Sequence, residues 1–425
     1  MLYTILLVEA PIGLILQDFA VIMIVASVMT LIFYKLKQPV VIGFIVAGII
    51  IGPYSPPFSL IHNLDVLNLF AELGVILLLF TVGMEFPIQK LRDVGRKAII
   101  IASSEAFGTL IIGFIVALSL GLGFYDSLFI ALAISVTSTV IIMRVLGELN
   151  MMKDESATLI LGTTIIEDII VISLLAIFQS TGASGEISIN EIMVSVGITL
   201  AFIAGVLIIG SKIIPKLLDI VARTNQHDVL IVAAVGVAFG LAFISFQLGI
   251  SVAAGAFFAG VLVAESRSHA VTSVLANPVK DIFAALFFVS VGALMDFSLI
   301  PKFIVPALIL IAVSIVAKFG TVYIASRLQK LNNLTSTRTA LGCSSSGGEI
   351  ALVVAKGGID VGAANPIILP MIGTMTIITT FIAPYVIKYG WKFTERFNKT
   401  RDKDDRPQKQ KQHSTESEEG SNEPM

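Results

Sequence analysis

Between Glu155 and Gln179 the chain is long and apolar enough to cross a bilayer as a helix, yet two acids, Glu167 and Asp168, sit at its middle. They lie in the stretch Leu161–Ser173, LGTTIIEDIIVIS. A carboxylate at the centre of a membrane helix costs about 2.5–3.5 kcal/mol or more on insertion scales, so this pair needs partners, water or a function. The span therefore has to lie inside a bundle, with polar groups of other helices aimed at its acids. The default reading of such a pair is an ion or proton site.

The rest of the chain is of the same kind. Its 425 residues are 56% hydrophobic and only 14% charged, with mean hydropathy +0.94, which makes it an all-α polytopic membrane protein. The net charge of −2 carries no nucleic-acid signal, because the Lys and Arg residues gather in loops and in the last forty residues. Cys343 is the single cysteine, and no Cys or His cluster surrounds it, so no disulfide, bound metal cofactor or redox group is expected. The first residues, MLYTILLVEAPIGL, lack a basic leader and carry Glu9 and Pro11, which reads as a lead-in to the first span and not as a cleaved signal.

Hydropathy, cut at charges and at Pro or Gly clusters, predicts thirteen segments: about 13–34, 39–53, 69–86, 97–120, 126–146, 156–179, 191–214, 228–248, 250–265, 278–297, 302–327, 337–356 and 364–389. Sixteen Lys and Arg, from Lys35 to Arg338, then fall on one side, and only Lys302 and Lys356 on the other. The positive-inside rule puts the N-terminus outside and the basic loops and C-terminus in the cytoplasm of a cell that carries this protein in its plasma membrane. Residues 1–392 form the membrane domain, and 393–425, almost without apolar residues, are expected to be a disordered cytoplasmic tail. The Asn333-Leu334-Thr335 and Asn398-Lys399-Thr400 sequons fall on the cytoplasmic side, where glycosylation does not occur.

An internal repeat runs through these segments. Gly43–Gly48 (GFIVAG) resembles Gly255–Gly260 (GAFFAG), and Phe80–Gly83 (FTVG) resembles Val289–Gly292 (VSVG), in order and at nearly equal offset. The matched segments are seven crossings apart, so the copies face opposite ways, the inverted-topology plan of secondary transporters. That plan asks for interrupted helices at corresponding places. The fifth segment carries Ser135-Val136-Thr137-Ser138-Thr139 and the twelfth Ser344-Ser345-Ser346-Gly347-Gly348-Glu349, and an offset of 209 takes Thr137 to Ser346. Hydroxyls that bond their own backbone, and paired glycines, predict unwinding at both places, giving two crossed discontinuous helices.

Within the spans the other buried ionisable residues are Lys318, midway along its segment, and Glu349. Lys318 is too deep to snorkel and needs an anion. Glu72, Glu105 and Arg144 read as near-interface anchors or structural pairs. On a helix Glu167 and Asp168 point about 100° apart, so one can pair while the other binds. Asp168 with the hydroxyls of Thr137, Ser138 and Thr139 and freed carbonyls offers hard oxygen ligands suited to a small alkali cation.

Several strings together resemble the monovalent cation:proton antiporter-2 family, with its Na+/H+ exchanger-like membrane domain: QPVVIGFIVAGIIIGP (Gln38–Pro53), AELGVILLLFTVGMEF (Ala71–Phe86), SVTSTVIIMRVL (Ser135–Leu146), IIEDII (Ile165–Ile170), LFFVSVGALMD (Leu286–Asp296) and SSGGEIALVV (Ser345–Val354). The resemblance covers about residues 17–389. It implies a homodimer with a scaffold from about 13–96 and 228–297, and a core from about 97–179 and 302–389 that moves like an elevator. It assigns Asp168 to the transported ion and proton, Glu167 to the preceding polar position, and Lys318 to the basic partner across the crossed helices. It implies exchange of Na+ or Li+ for H+ without a cofactor. Many relatives carry Asp-Asp here and the glutathione-gated potassium-efflux branch carries Gln-Asp, whereas this chain has Glu-Asp; K+/H+ exchange without that branch's nucleotide-binding domain is the alternative. A cation channel lacks the ring of repeated filter groups. Intramembrane aspartyl proteolysis, the enzyme reading, lacks its Gly-x-Gly-Asp motif.

Overall fold

A computed structural model describes residues 12–36, 38–55, 59–61, 63–85, 88–148, 151, 154–182, 189–345, 347–348 and 350–419, with side chains as far as Thr394 except at 12, 88–94, 140, 144, 147–148, 180–182, 189–192 and 195. Ser346 and Glu349, the residues before Ile12 and those after Glu419 lie outside it. Among the described residues there is no strand, only an isolated antiparallel bridge between Thr137 and Gly347.

Each of the thirteen apolar segments corresponds to one helix or to an interrupted helix. The first four are α1 (Ile12–Lys35), α2 (Val40–Ile51), α3 (Leu64–Met84) and α4 (Ile88–Ser119). The fifth is broken into α5 (Phe124–Ser135) and α6 (Thr139–Glu148), and the sixth is α7 (Glu155–Gly182). The seventh runs as α8 (Ile189–Gly205), a π-helical turn (Val206–Gly210) and α9 (Ser211–Ala222). Then come α10 (His227–Gln247), α11 (Val252–Ala264), α12 (His269–Ala293) and α13 (Ile300–Leu328). The twelfth is broken into α14 (Asn333–Ser344) and α15 (Ile350–Asp360), and the last is α16 (Ile368–Glu419). Nine described helices are long and apolar enough to cross a membrane whole.

Several helix boundaries differ from expectation. Cutting spans at charges placed the tenth segment at 278, but α12 starts at His269 and carries Pro278 and Lys280 inside it, because a helix does not stop where the apolar stretch does. Likewise α4 starts at Ile88, nine residues before its apolar segment, and α16 runs to Glu419.

Burial separates centre from edge. The spans in α3 and α7 are 67% and 61% buried, whereas those in α1 and in the α8–α9 segment are 17% buried, so α3 and α7 lie at the middle of the bundle. The helices pack in two groups. In one, α3 lies against α11 and α12, α12 against α2, α2 against α1, and α10 against α11. In the other, α4 lies against α5, α7 and α13, α14 against α7, α13 and α16, and α15 against α5, α7 and α16. They meet where α7 runs beside α11, within one apolar cluster that includes Val171, Ile172 and Leu175 with Phe258, Val261 and Leu262.

The repeat shows itself in the first group as a reciprocal contact. A Cβ on Gly48 of α2 would overlap the Val289 carbonyl and the Gly292 backbone of α12, and one on Gly260 of α11 would overlap the Phe80 carbonyl and Gly83 of α3. Duplication takes Gly48 to Gly260 and Gly83 to Gly292, so the two contacts are the same contact made twice, as in a self-complementary interface about a two-fold axis. Backbone-to-backbone approach at small residues is how membrane helices associate tightly without a hydrophobic drive.

Candidate functional site

The two interrupted helices cross at their breaks. α5 ends at Val136, whose backbone is extended (φ −74°, ψ 137°), and α6 begins at Thr139. The Gly348 amide donates to the Val136 carbonyl at 3.3 Å. A side chain at Gly348 would sit 2.6 Å from Val136 Cγ1, so this glycine is what lets the second break reach the first. The Gly347 amide donates to Thr379 Oγ1 of α16 at 3.1 Å.

Breaking a helix in low dielectric exposes carbonyls that need donors. Lys318, 1% exposed on α13, supplies one: its Nζ donates to the Val136 carbonyl at 2.7 Å and to Thr137 Oγ1 at 2.8 Å. A cation at the C-terminal end of α5 also opposes that half-helix's dipole. Thr137 is the hub. Its Oγ1 lies 3.1 Å from Glu167 Oε1, 3.3 Å from Glu105 Oε1 and 3.2 Å from the Cys343 carbonyl, and its one hydrogen can serve one acceptor at a time. Glu167 Oε1 and Lys318 Nζ are 3.9 Å apart, an ion pair with the threonine hydroxyl between its members instead of a direct hydrogen bond.

Glu105 and Glu167 are fully buried and Asp168 is 4% exposed, one residue further round α7. Glu105, Glu167 and Lys318 gather at the Thr137 hydroxyl, two carboxyl groups and one ammonium, which leaves one negative charge in excess if all are ionised. One bound cation, or a proton on a carboxylate, reduces that surplus. Ser138 and Ser345 are buried at the two breaks, with Ser138 Oγ accepting the Ile141 amide at 3.4 Å and Ser345 Oγ donating to the Gly342 carbonyl at 2.8 Å. Thr139 Oγ1 has no hydrogen-bond partner among the described residues. A cavity of about 20 Å³, room for one water, is lined by Ala133, Ser314, Ser344, Gly347, Thr376 and Thr379 beside the crossing.

Sequence reasoning missed two members. Glu105 reads as a near-interface anchor, but it faces Thr137 from near the middle of the Gly95–Ser119 span; the depth argument that singles out Lys318 would have found it. Thr379 could have been reached through the repeat, since the offset of 209 carries Glu167 to Thr376, one helical turn away. By contrast Glu72 is exposed on α3.

Two further ties hold α7 to the second broken helix. Arg338 of α14 pairs with Asp154, just before α7, at 2.9 Å, with its guanidinium 5.0 Å over the Trp391 ring. At the other end Gln179 donates to the Gly357 carbonyl of α15 at 2.8 Å.

The profile of the family described as "Sodium/hydrogen exchanger, transmembrane" matches residues 22–391. The chain is 29% identical over 391 residues to the high-affinity Na+/H+ antiporter NhaS3 of Synechocystis, covering 82% of this chain and 84% of that one. It is 27% identical over 356 residues to the Na+/H+-K+ antiporter GerN of Bacillus cereus, covering 84% and 90%. In fold it is similar to the sodium proton antiporter MjNhaP1 of Methanocaldococcus jannaschii, with a TM-score of 0.66 at 18% identity over 90% of this chain and 98% of that one. With its crossed interrupted helices and an acid pair buried beside them, the chain belongs to the sodium/hydrogen exchanger family and is a cation/proton antiporter.

Proposed function

We propose that this protein exchanges Na+ for H+ at Asp168, one ion species at a time, as the α4–α7 and α13–α16 group moves against the rest. The observation that carries the reading is Asp168, buried at 4% exposure on α7 and next to Glu167, whose carboxylate reaches the Thr137 hydroxyl at the first break. Asp168 is the shared carrier; the Thr137–Thr139 hydroxyls and carbonyls freed at the breaks complete the oxygen set. Glu167 and Lys318 form the charge pair, and binding at Asp168 competes with it for Thr137.

The moving group is supported by its internal ties, Arg338–Asp154 and Gln179–Gly357, and by the apolar seam at α7 and α11. The glycine-packed group is the fixed half, and in this reading two copies of the chain join through it in the plasma membrane, N-terminus outside. Na+ is favoured because NhaS3 is a Na+/H+ antiporter; K+ is the second reading, because GerN's name adds K+ to Na+ and H+.

The test is proteoliposome transport of Na+, Li+ and K+ under an imposed pH gradient, with wild type and Asp168→Asn. The wild type should move protons with Na+ and Li+, and acid should raise the apparent KM for the cation, since proton and cation neutralise the same carboxylate. Asp168→Asn should remain folded and lose cation-dependent proton movement. Near-normal exchange in that variant, or an apparent affinity that is flat with pH, would sink the single-site reading.

A further inference from the structure

A second polar site lies far along the chain from the helix crossing. α9 ends in a turn that includes Asn225 with φ 55°, and α10 starts at His227. The turn between α11 and α12 comes alongside, held there by Asp219, whose Oδ1 accepts the backbone amides of Arg267 at 2.9 Å and Ser268 at 3.4 Å. Between the two turns is a cleft of about 840 Å³, lined by Lys216, Arg223, His227 and Arg267 among others. That volume is in the range of ligand pockets. Asp219 is the one acid among the lining residues, and its Oδ1 already accepts two loop amides. Lys216, Arg223 and Arg267 are exposed, and among the described residues none of the three side chains makes an ion pair or hydrogen bond. Three cations converge on a cleft whose lining holds a single acid.

What adjoins the cleft decides what fills it. Ile213, Leu217 and Ile220 form an exposed stripe at helical spacing on α9, and Val271 and Val274 are exposed on α12; Ile220 and Val271 also line the cleft. A basic cleft continuous with apolar helix faces in a membrane protein has the shape of an anionic amphiphile. We propose that this cleft binds an anionic phospholipid, its phosphate held by Lys216, Arg223 and Arg267 and its acyl chains lying along the α9 and α12 stripes. A soluble phosphate shares the headgroup chemistry but would leave the stripe unused.

The experiment uses the purified full chain, exposed in detergent to equal amounts of phosphatidylglycerol and phosphatidylcholine, with retained lipid counted by native mass spectrometry and thermal stability followed alongside. Phosphatidylglycerol should be retained over phosphatidylcholine, and each cation removed should lower that preference about fivefold. Arg223→Gln with Arg267→Gln should therefore lower it about twenty-five-fold, while Lys212→Gln, on α9 but outside the cleft, should leave it in place. Inorganic phosphate alone should give no comparable stabilisation. Equal retention of the two lipids by wild type would overturn the proposal without recourse to any variant. So would a preference left undiminished by Arg223→Gln/Arg267→Gln, a full effect from inorganic phosphate, or a change of oligomeric state that excludes lipid and places a second copy in the cleft. None of these readouts depends on cation exchange, so failure here leaves the reading of Asp168 standing.

Discussion

The two places where the internal repeat meets itself are built by opposite means. At α2–α12 and α3–α11, glycines bring backbones into contact with no polar side chain involved. At the crossing of α5–α6 with α14–α15, backbone has been freed from the helical ladder, and its groups are held by Lys318, Thr137, Thr379 and Gly348. The first kind of contact resists any change, because a packed backbone interface has nowhere to relax. The second depends on a lysine and shared hydroxyls, groups that a bound cation or proton can rearrange. A transporter needs both: one surface that stays, and one that responds to its cargo.

Breaking the rigid contact should have the largest effect. Gly83→Val forces side-chain atoms into the Phe257 carbonyl and the Gly260 backbone, an overpacking with no flexible neighbour to yield, and should cost about 3 kcal/mol or more. Folded yield and melting temperature in detergent would collapse together, and a variant melting like wild type would show that the α3–α11 contact is not rigid.

Next comes the polar crossing. Lys318→Gln strands Glu167 and removes the charge at the end of α5, so it should cost about 3–5 kcal/mol, whereas the double variant with Glu167→Gln should cost less than the two single effects added together. Additivity in the melting data would mean that Thr137 does not couple the two. If the pair is broken by the ion and Lys318 releases a proton, transport by the wild type is electrogenic, and a clamped membrane potential should change its rate.

Arg338→Gln acts outside the crossing, on the tie between α14 and Asp154, and should cost about 1–3 kcal/mol through the stranded carboxylate. Asp154 is partly exposed and can recruit water, which sets this below Lys318. Added NaCl should leave the wild-type margin over this variant largely intact, because the pair is shielded by Trp391. Glu105→Gln should be the mildest for folding, within about 1 kcal/mol, because the amide oxygen still accepts from Thr137. Its effect should show in transport: with one carboxylate fewer beside the site, the apparent KM for the cation should rise without loss of melting temperature. An unchanged KM would leave Glu105 a packing residue.

Much of this fold was legible because a bilayer leaves few choices. Apolar runs must become helices, and the Gly-rich strings and hydroxyl clusters that recur about 210 residues apart mark both the packing faces and the breaks. Glu105 escaped because depth in a span is only a position on a line; whether a mid-span acid faces lipid, a neighbouring helix or a break depends on the rotation of α4 against α13. The pairing of Lys318 was partly visible for the same reason: its need for an anion follows from depth, but the Val136 carbonyl as its nearest acceptor does not.

By itself the sequence determined the helical architecture, the duplication, the two interruptions and the helix that carries Glu167 and Asp168, since each follows from hydropathy or from local backbone chemistry. Only the tertiary structure decided that one threonine hydroxyl would stand among two glutamates, a lysine and a carbonyl. Those groups come from five helical segments, α4, α5–α6, α7, α13 and α14, 238 residues apart at their extremes, Glu105 and Cys343, and brought within 4 Å of one atom or its ion pair only by crossing angles and close packing. Such angles are set by the summed shape of many side chains, and no local stretch of the chain contains them.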